Sequence, residues 1–156
     1  KKAKIISCEE SKYYYNKVKS NFPRKYLKYI NFHLLDRGED LIGKIPSSFY
    51  KNLPKLNYEF IFIDGPTYRK NKSSKKCFNS DLIKLLLSNK NIYIDGLIDQ
   101  RILNYLVYKK IMPNANIKYN PITKLGILNK VNYKHISDKY LPWIKKKELQ
   151  LMDLEE

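Results

Sequence analysis

The sequence predicts an α/β fold: a mostly parallel sheet with helices on both faces, closed by an antiparallel strand pair at the C-terminal end. Three observations point there. Short β-branched runs alternate with longer amphipathic ones. The strongest apolar run, Tyr58–Ile63, is nearly continuous, as in strands covered on both sides. An acidic residue follows most of the strand-like runs.

In order along the chain, Lys4–Ser7 reads as a strand that ends in the acidic pair Glu9-Glu10. Ser11–Phe22 reads as a helix stopped by Pro23, which lacks the N–H a helix needs. Ile30–Leu35 is a second strand, ending at Asp36-Arg37-Gly38, and the stretch from there to Lys55 reads as irregular, with Pro46 and Pro54 limiting any helix. Tyr58–Ile63 stops abruptly at Asp64-Gly65-Pro66. A basic loop, 67–76, follows, long enough to serve as a lid. Asn79 or Ser80 can cap a helix over Asp81–Ser88 whose leucines and Ile83 form an apolar face. Asn91–Ile94 is a strand ending in Asp95-Gly96, and a helix runs from Asp99 to about Ile111, where Pro113 ends it. Ile117–Ile122 and Gly126–Val131 form the closing pair. The expected organisation is a domain over 1–132 and a peripheral extension over 133–156, which holds the only Trp, Trp143.

The chain has 156 residues, 43% hydrophobic and 29% charged, the composition of one folded domain. Its apolar runs are too short to span a bilayer, and no secretion signal opens it. Lysine and arginine number 31 against 15 acids, a net charge of +16. That excess suits an anionic partner such as nucleic acid. It also suits an A/T-rich genome: only 4 of the cations are Arg, the residue that makes forked contacts to phosphate, and Lys, Asn, Ile and Tyr together make 74 residues. A small-molecule substrate is therefore preferred over nucleic acid. Cys8 and Cys77 are far apart and belong to no metal-ligand pattern, which fits reduced thiols and a cytoplasmic setting.

In a parallel α/β sheet, ligands bind beyond the carboxyl ends of the strands. Glu9-Glu10, Asp36, Asp64 and Asp95 are expected there. The two Ile-Asp-Gly triplets, at 63–65 and 94–96, are the sharpest feature. On neighbouring strands, Asp64 and Asp95 would share one rim and could hold Mg²⁺ or act as an acid–base pair. Asp-Gly is equally a good turn former. Glu9 suits the two hydroxyls of a ribose, and Glu10 equally suits a helix N-terminus. In the basic loop, Tyr68 and Arg69 could meet substrate, Arg69 as a forked donor, although such a run also suits a solvated loop.

With these runs in view, the order resembles the class I S-adenosylmethionine-dependent methyltransferases. IISCEESKYYYNKVKSNF is similar to that family's second strand, ribose-binding acid (here Glu9) and following helix; YEFIFIDGPTYR to its fourth strand; NIYIDGLID to its fifth; and the closing pair to its reversed sixth and seventh strands. The resemblance implies a Rossmann-like sheet and S-adenosyl-L-methionine as cofactor, with Glu9, Asp36 and Asp64 at the cofactor. It also implies methyl transfer to a small polar acceptor, with Asp64 and Asp95 catalytic and, as in metal-dependent members, ligands to Mg²⁺. The family's first strand and Gly-rich loop have no counterpart before Lys4. Together with the absence of an initial Met, this reads as an N-terminally incomplete domain, and without those parts cofactor binding would be weak.

Overall fold

The computed structural model describes residues 4–66, 76–99 and 102–142. Among these the chain is a mixed α/β structure with three small sheets, three α-helices and two short 3-10 segments. Strand β1 (Ile5–Glu9) is followed by α1 (Lys12–Asn21) and a 3-10 turn, Arg24–Tyr29, and returns as β2 (Ile30–Leu34), parallel to β1 and in register from Ile5↔Ile30 to Glu9↔Leu34. Ser11 caps α1, its Oγ accepting from Tyr14 N–H at 3.5 Å, and the helix stops before Pro23.

The stretch expected to be irregular is instead a hairpin, β3 (Arg37–Ile42) and β4 (Ile45–Tyr50), antiparallel with Arg37↔Tyr50 and Ile42↔Ile45 paired. Gly43, at φ 65°, supplies the left-handed residue that its two-residue turn requires. Pro46 sits inside β4, opposite Leu41. A proline lacks one ladder donor yet is tolerated in a strand that pairs only briefly on one side, and β4 meets the two-residue β6 (Phe78–Asn79) only at Ser47 and Ser48.

The third sheet has the order β5-β7-β9-β8. Strand β5 (Phe60–Ile63) runs parallel to β7 (Ile94–Ile98). Strand β9 (Leu125–Val131) is antiparallel to both β7 and β8 (Asn116–Asn120), and it lies between them. Helix α2 (Asp81–Ser88) crosses from the β5 side to β7, and α3 (Ile102–Ile111) links β7 to β8. Both helices pack on one face of the sheet: Leu82, Ile83, Leu86, Tyr108 and Ile111 join Ile63, Ile94, Ile98, Leu128 and Val131 in a single core. Fully burying an aliphatic or aromatic side chain of this kind contributes about 1.5–3 kcal/mol.

The opposite face of this sheet is open. Phe60 and Phe62 are more than half exposed, and Phe62, Leu97 and Ile127 form a row across three strands. The apolar run ending at Ile63 is therefore not a doubly covered central strand. It is the terminal strand of its sheet among the described residues, covered on one side only. The segment after Val131 also differs from expectation. A 3-10 turn, Tyr133–His135, leads to Ile136 and Tyr140, which are 4% and 6% exposed and belong to the core rather than to a peripheral extension. Asn132 anchors this return, its Nδ2 donating to the Lys90 and Ile92 carbonyls at 3.1 and 2.6 Å.

Candidate active site at the carboxyl strand edge

Glu9 is the last residue of β1, and its carboxylate Oε1 accepts the Ser11 N–H at 2.7 Å. This contact is local: it turns the chain into α1. Asp36 follows β2 by two residues and is exposed, its carbonyl accepting from Lys51 N–H at 2.8 Å. Asp64 follows Ile63 at the end of β5 and is exposed. These three acids stand at the carboxyl ends of parallel strands, as expected.

Asp95 does not. The apolar run that begins at Asn91 only becomes a strand at Ile94 and continues through Leu97 and Ile98, so Asp95-Gly96 lies inside β7 and not beyond it. Asp95 pairs with Phe60, at the opposite end of β5 from Asp64. Four residues of extended chain separate the two levels, about 13 Å. Asp95 is exposed and its Oδ1 accepts the Lys130 N–H at 2.7 Å, a contact that ties β7 to β9. Asp64 and Asp95 therefore do not form the expected carboxylate pair, and the shared Mg²⁺ site built on them is corrected accordingly. The residue beside Asp64 is Asp99, whose N–H donates to the Ile63 carbonyl at 2.9 Å. No group of three His, Cys, Asp or Glu side chains with metal-ligand geometry occurs among the described residues. Tyr68 and Arg69 lie outside the described residues.

Behind the rim is a buried polar cluster that the sequence reading did not single out. Asn79, 2% exposed, donates through Nδ2 to the Gly65 carbonyl and to Asp81 Oδ2, the latter at 2.7 Å. Its Oδ1 accepts the Asp81 N–H at 2.9 Å, so Asn79 supplies the cap of α2 although Ser80 occupies the cap position. Its backbone N–H donates to Asn104 Oδ1 at 2.8 Å, and Tyr108 Oη donates to its carbonyl at 2.6 Å. Asp81 Oδ1 in turn accepts the Tyr50 N–H at 2.9 Å. One residue, by its side chain and its backbone, thus fastens the Asp64-Gly65 turn, the start of α2 and helix α3 together, and Asp81 adds the hairpin.

Tyr50 closes the cluster from the hairpin side. Its hydroxyl fills the space where a side chain on Gly65 would begin. Burial pushes its phenol well above the ordinary range, with Glu9, Asp81, Cys8 and Glu10 adding negative potential. Burial and the nearby Asp81 raise the Cys8 thiol to about 11, which keeps it protonated and a poor nucleophile. The hairpin, the end of β1, the Asp64 turn and the head of α2 therefore meet at one place.

Burial raises the Asp81 carboxyl from 3.8 to about 6, against the hydrogen bonds from Asn79 and Tyr50 and the charge of Lys84, which pull it down. Between those two pH values the folded chain holds a proton that the unfolded chain has lost. The carboxyl therefore favours folding below pH 3.8, and this contribution is lost as pH rises through about 6. The difference corresponds to about 3 kcal/mol. Urea unfolding of the wild type and of Asp81→Asn at pH 4 and pH 7 tests this. The wild type is expected to lose about 2 kcal/mol relative to the variant over that interval, and an unchanged difference would refute it.

Compared with known proteins, the chain matches no family model, no curated protein and no solved structure.

Proposed function

We propose that the chain is the Rossmann-like part of a domain that transfers a methyl group from S-adenosyl-L-methionine to a small polar acceptor, such as a sugar or metabolite hydroxyl. The observation that carries this reading is the strand pattern. Strand β9 runs antiparallel between β7 and β8, with β5 parallel to β7, and β1 and β2 form a separate parallel pair. That pattern resembles the family's strands four, five, seven and six beside its strands two and three. The family's first strand would lie between β1 and β5, and each of these has one edge without a strand partner among the described residues.

The donor set fits the cofactor's polar groups in part. Glu9, Asp36, Asp64 and Asp99 are hydrogen-bond acceptors at strand ends, suited to ribose hydroxyls, an adenine amino group and an ammonium. Glu9, steadied by Ser11 N–H, would hold the ribose, with Asp36 next to it. When bound, S-adenosyl-L-methionine would supply an electrophilic methyl on a sulfonium, its sulfur becoming a neutral thioether on transfer. Asp64 would orient the acceptor hydroxyl and take its proton as the new oxygen–carbon bond forms. The cluster of Asn79 and Tyr50 under Gly65 would hold that carboxylate in line, since most of the rate in such a transfer comes from positioning. With Asp95 at the far edge, no metal step enters.

Calorimetric titration with S-adenosylhomocysteine tests the reading. Weak binding is expected for the wild type, weakened about tenfold further by Glu9→Gln and unchanged by Asp95→Asn. No heat of binding from folded protein, or equal affinity for the Glu9 variant, would overturn it.

A further inference from the structure

A second surface, formed by the segment between β1 and the hairpin, has its own chemistry. From Ser11 to Leu35 there is no acidic residue, while the chain as a whole carries 15. The same stretch holds Lys12, Lys17, Lys19, Arg24, Lys25 and Lys28. Helix α1 and the 3-10 turn after it bury none of their residues. Tyr13, Tyr14 and Tyr26 are 66%, 55% and 46% exposed.

The cations and rings are interleaved in space. Lys17 Nζ lies 5.8 Å from the Tyr13 ring centre, Lys19 lies 5.4 Å from Tyr15, Lys25 lies 4.8 Å from Tyr26 and Lys28 lies 5.1 Å from Tyr29. Phe22 packs edge-on against both Tyr26 and Phe32, which joins the helix, the turn and β2 into one surface. Between them runs an open groove of about 570 Å³ lined by Lys19, Leu27, Asn31, Phe32 and His33 among others. A genome-wide excess of lysine accounts for neither the acid-free run from Ser11 to Leu35 nor the placing of Lys17 and Lys25 against the exposed rings of Tyr13 and Tyr26.

We infer that the α1–β2 face, with Tyr13, Tyr14, Tyr26 and the six cations around them, binds single-stranded nucleic acid. Solvent-facing rings offer stacking platforms to unpaired bases, and lysines between them meet the phosphates without reading sequence. An anionic membrane is the rival partner for a basic helix. It is disfavoured because the exposed aliphatic side chains of α1, the turn and β2 are few, Val18, Leu27 and Leu34, one on each element, which leaves no continuous apolar stripe to insert among acyl chains. The inference does not depend on methyl transfer, and the failure of either leaves the other standing.

The test is fluorescence anisotropy of the full chain with a labelled oligouridylate of about 20 nucleotides, over a salt series. Each phosphate contact contributes about −0.7 to the slope of log affinity against log salt, so a slope of about −2 to −4 is expected. The double reversal Lys17→Glu with Lys25→Glu is expected to weaken binding at least tenfold and to flatten the slope. Tyr13→Leu with Tyr26→Leu is expected to weaken it about fivefold or more with the slope unchanged, because stacking carries no counterion release. These positions are exposed, and circular dichroism of each variant checks that it stays folded. Absence of binding at low salt, equal affinity of all variants, equal affinity for a duplex of the same length, or tighter binding to phosphatidylserine vesicles than to the oligonucleotide would each overturn it.

Discussion

Asn79→Ala is expected to lower the free energy of unfolding by about 3–5 kcal/mol, a large part of the 5–15 kcal/mol that holds a typical domain together. The truncation removes the donor to Asp81 Oδ2 and to the Gly65 carbonyl and the acceptor for Asp81 N–H. Asp81, 5% exposed, then keeps the Tyr50 N–H bond and the charge of Lys84 but loses the Asn79 donor that helps hold its carboxyl down, so burial pushes that carboxyl further up. A buried polar group left without its partner is far more costly than a missing surface contact. Urea midpoints for Asn79→Ala and for the exposed Asn129→Ala make the comparison direct. The Asn129 change is expected to stay within about 0.5 kcal/mol, and comparable losses in the two variants would refute the role assigned to the cluster. Because Asn79 also holds the Gly65 carbonyl, the same variant should free the Asp64 turn before the rest of the chain melts.

Gly96→Val is expected to cost about 3 kcal/mol or more and to act between strands rather than in the core behind them. Gly96 lies in β7 opposite Ile61 of β5. A Cβ there would collide with the Ile61 carbonyl oxygen, would lie 2.8 Å from Ile61 Cγ2 and would crowd Leu128 Cδ1 at 3.2 Å. A backbone oxygen in a ladder cannot swing aside, so the two strands must part. Since Asp99 N–H bonds to the Ile63 carbonyl at the far end of that ladder, the rim loosens with it. Thermal unfolding followed by circular dichroism, with Gly126→Ala as the milder comparison, measures the cost. Gly126 faces only Ile98 side-chain atoms at 3.1 Å and beyond, which can shift by tenths of an ångström. A Gly96 variant as stable as the wild type would refute the close approach of β5 and β7.

What the sequence discloses follows the reach of each signal. Helix α2 is readable to the residue because its apolar face and its capping residues are local. Helix α1, set between Ser11 and Pro23, and the antiparallel closing pair are readable to within one or two residues at their ends. The hairpin after Asp36 was obscured because its polar residues and Pro46 mimic a loop. Gly43, followed two residues later by Ile45, was the available signal for a tight turn. The placement of Asp95 failed for a different reason. In Ile94–Ile98 the Asp-Gly looks like an ending, yet the apolar residues resume after it, and only pairing with β5 and β9 decides that the strand continues. The Asn79–Asp81 cluster depends on contacts about 25 and 31 residues away, with Asn104 and Tyr50, and nothing local announces it. Ile136 and Tyr140 entered the core through the same kind of distant contact.

The outer side of β5 carries no strand partner among the described residues. An extended segment laid parallel along it and in register would pass Asp64 as it left the pairing.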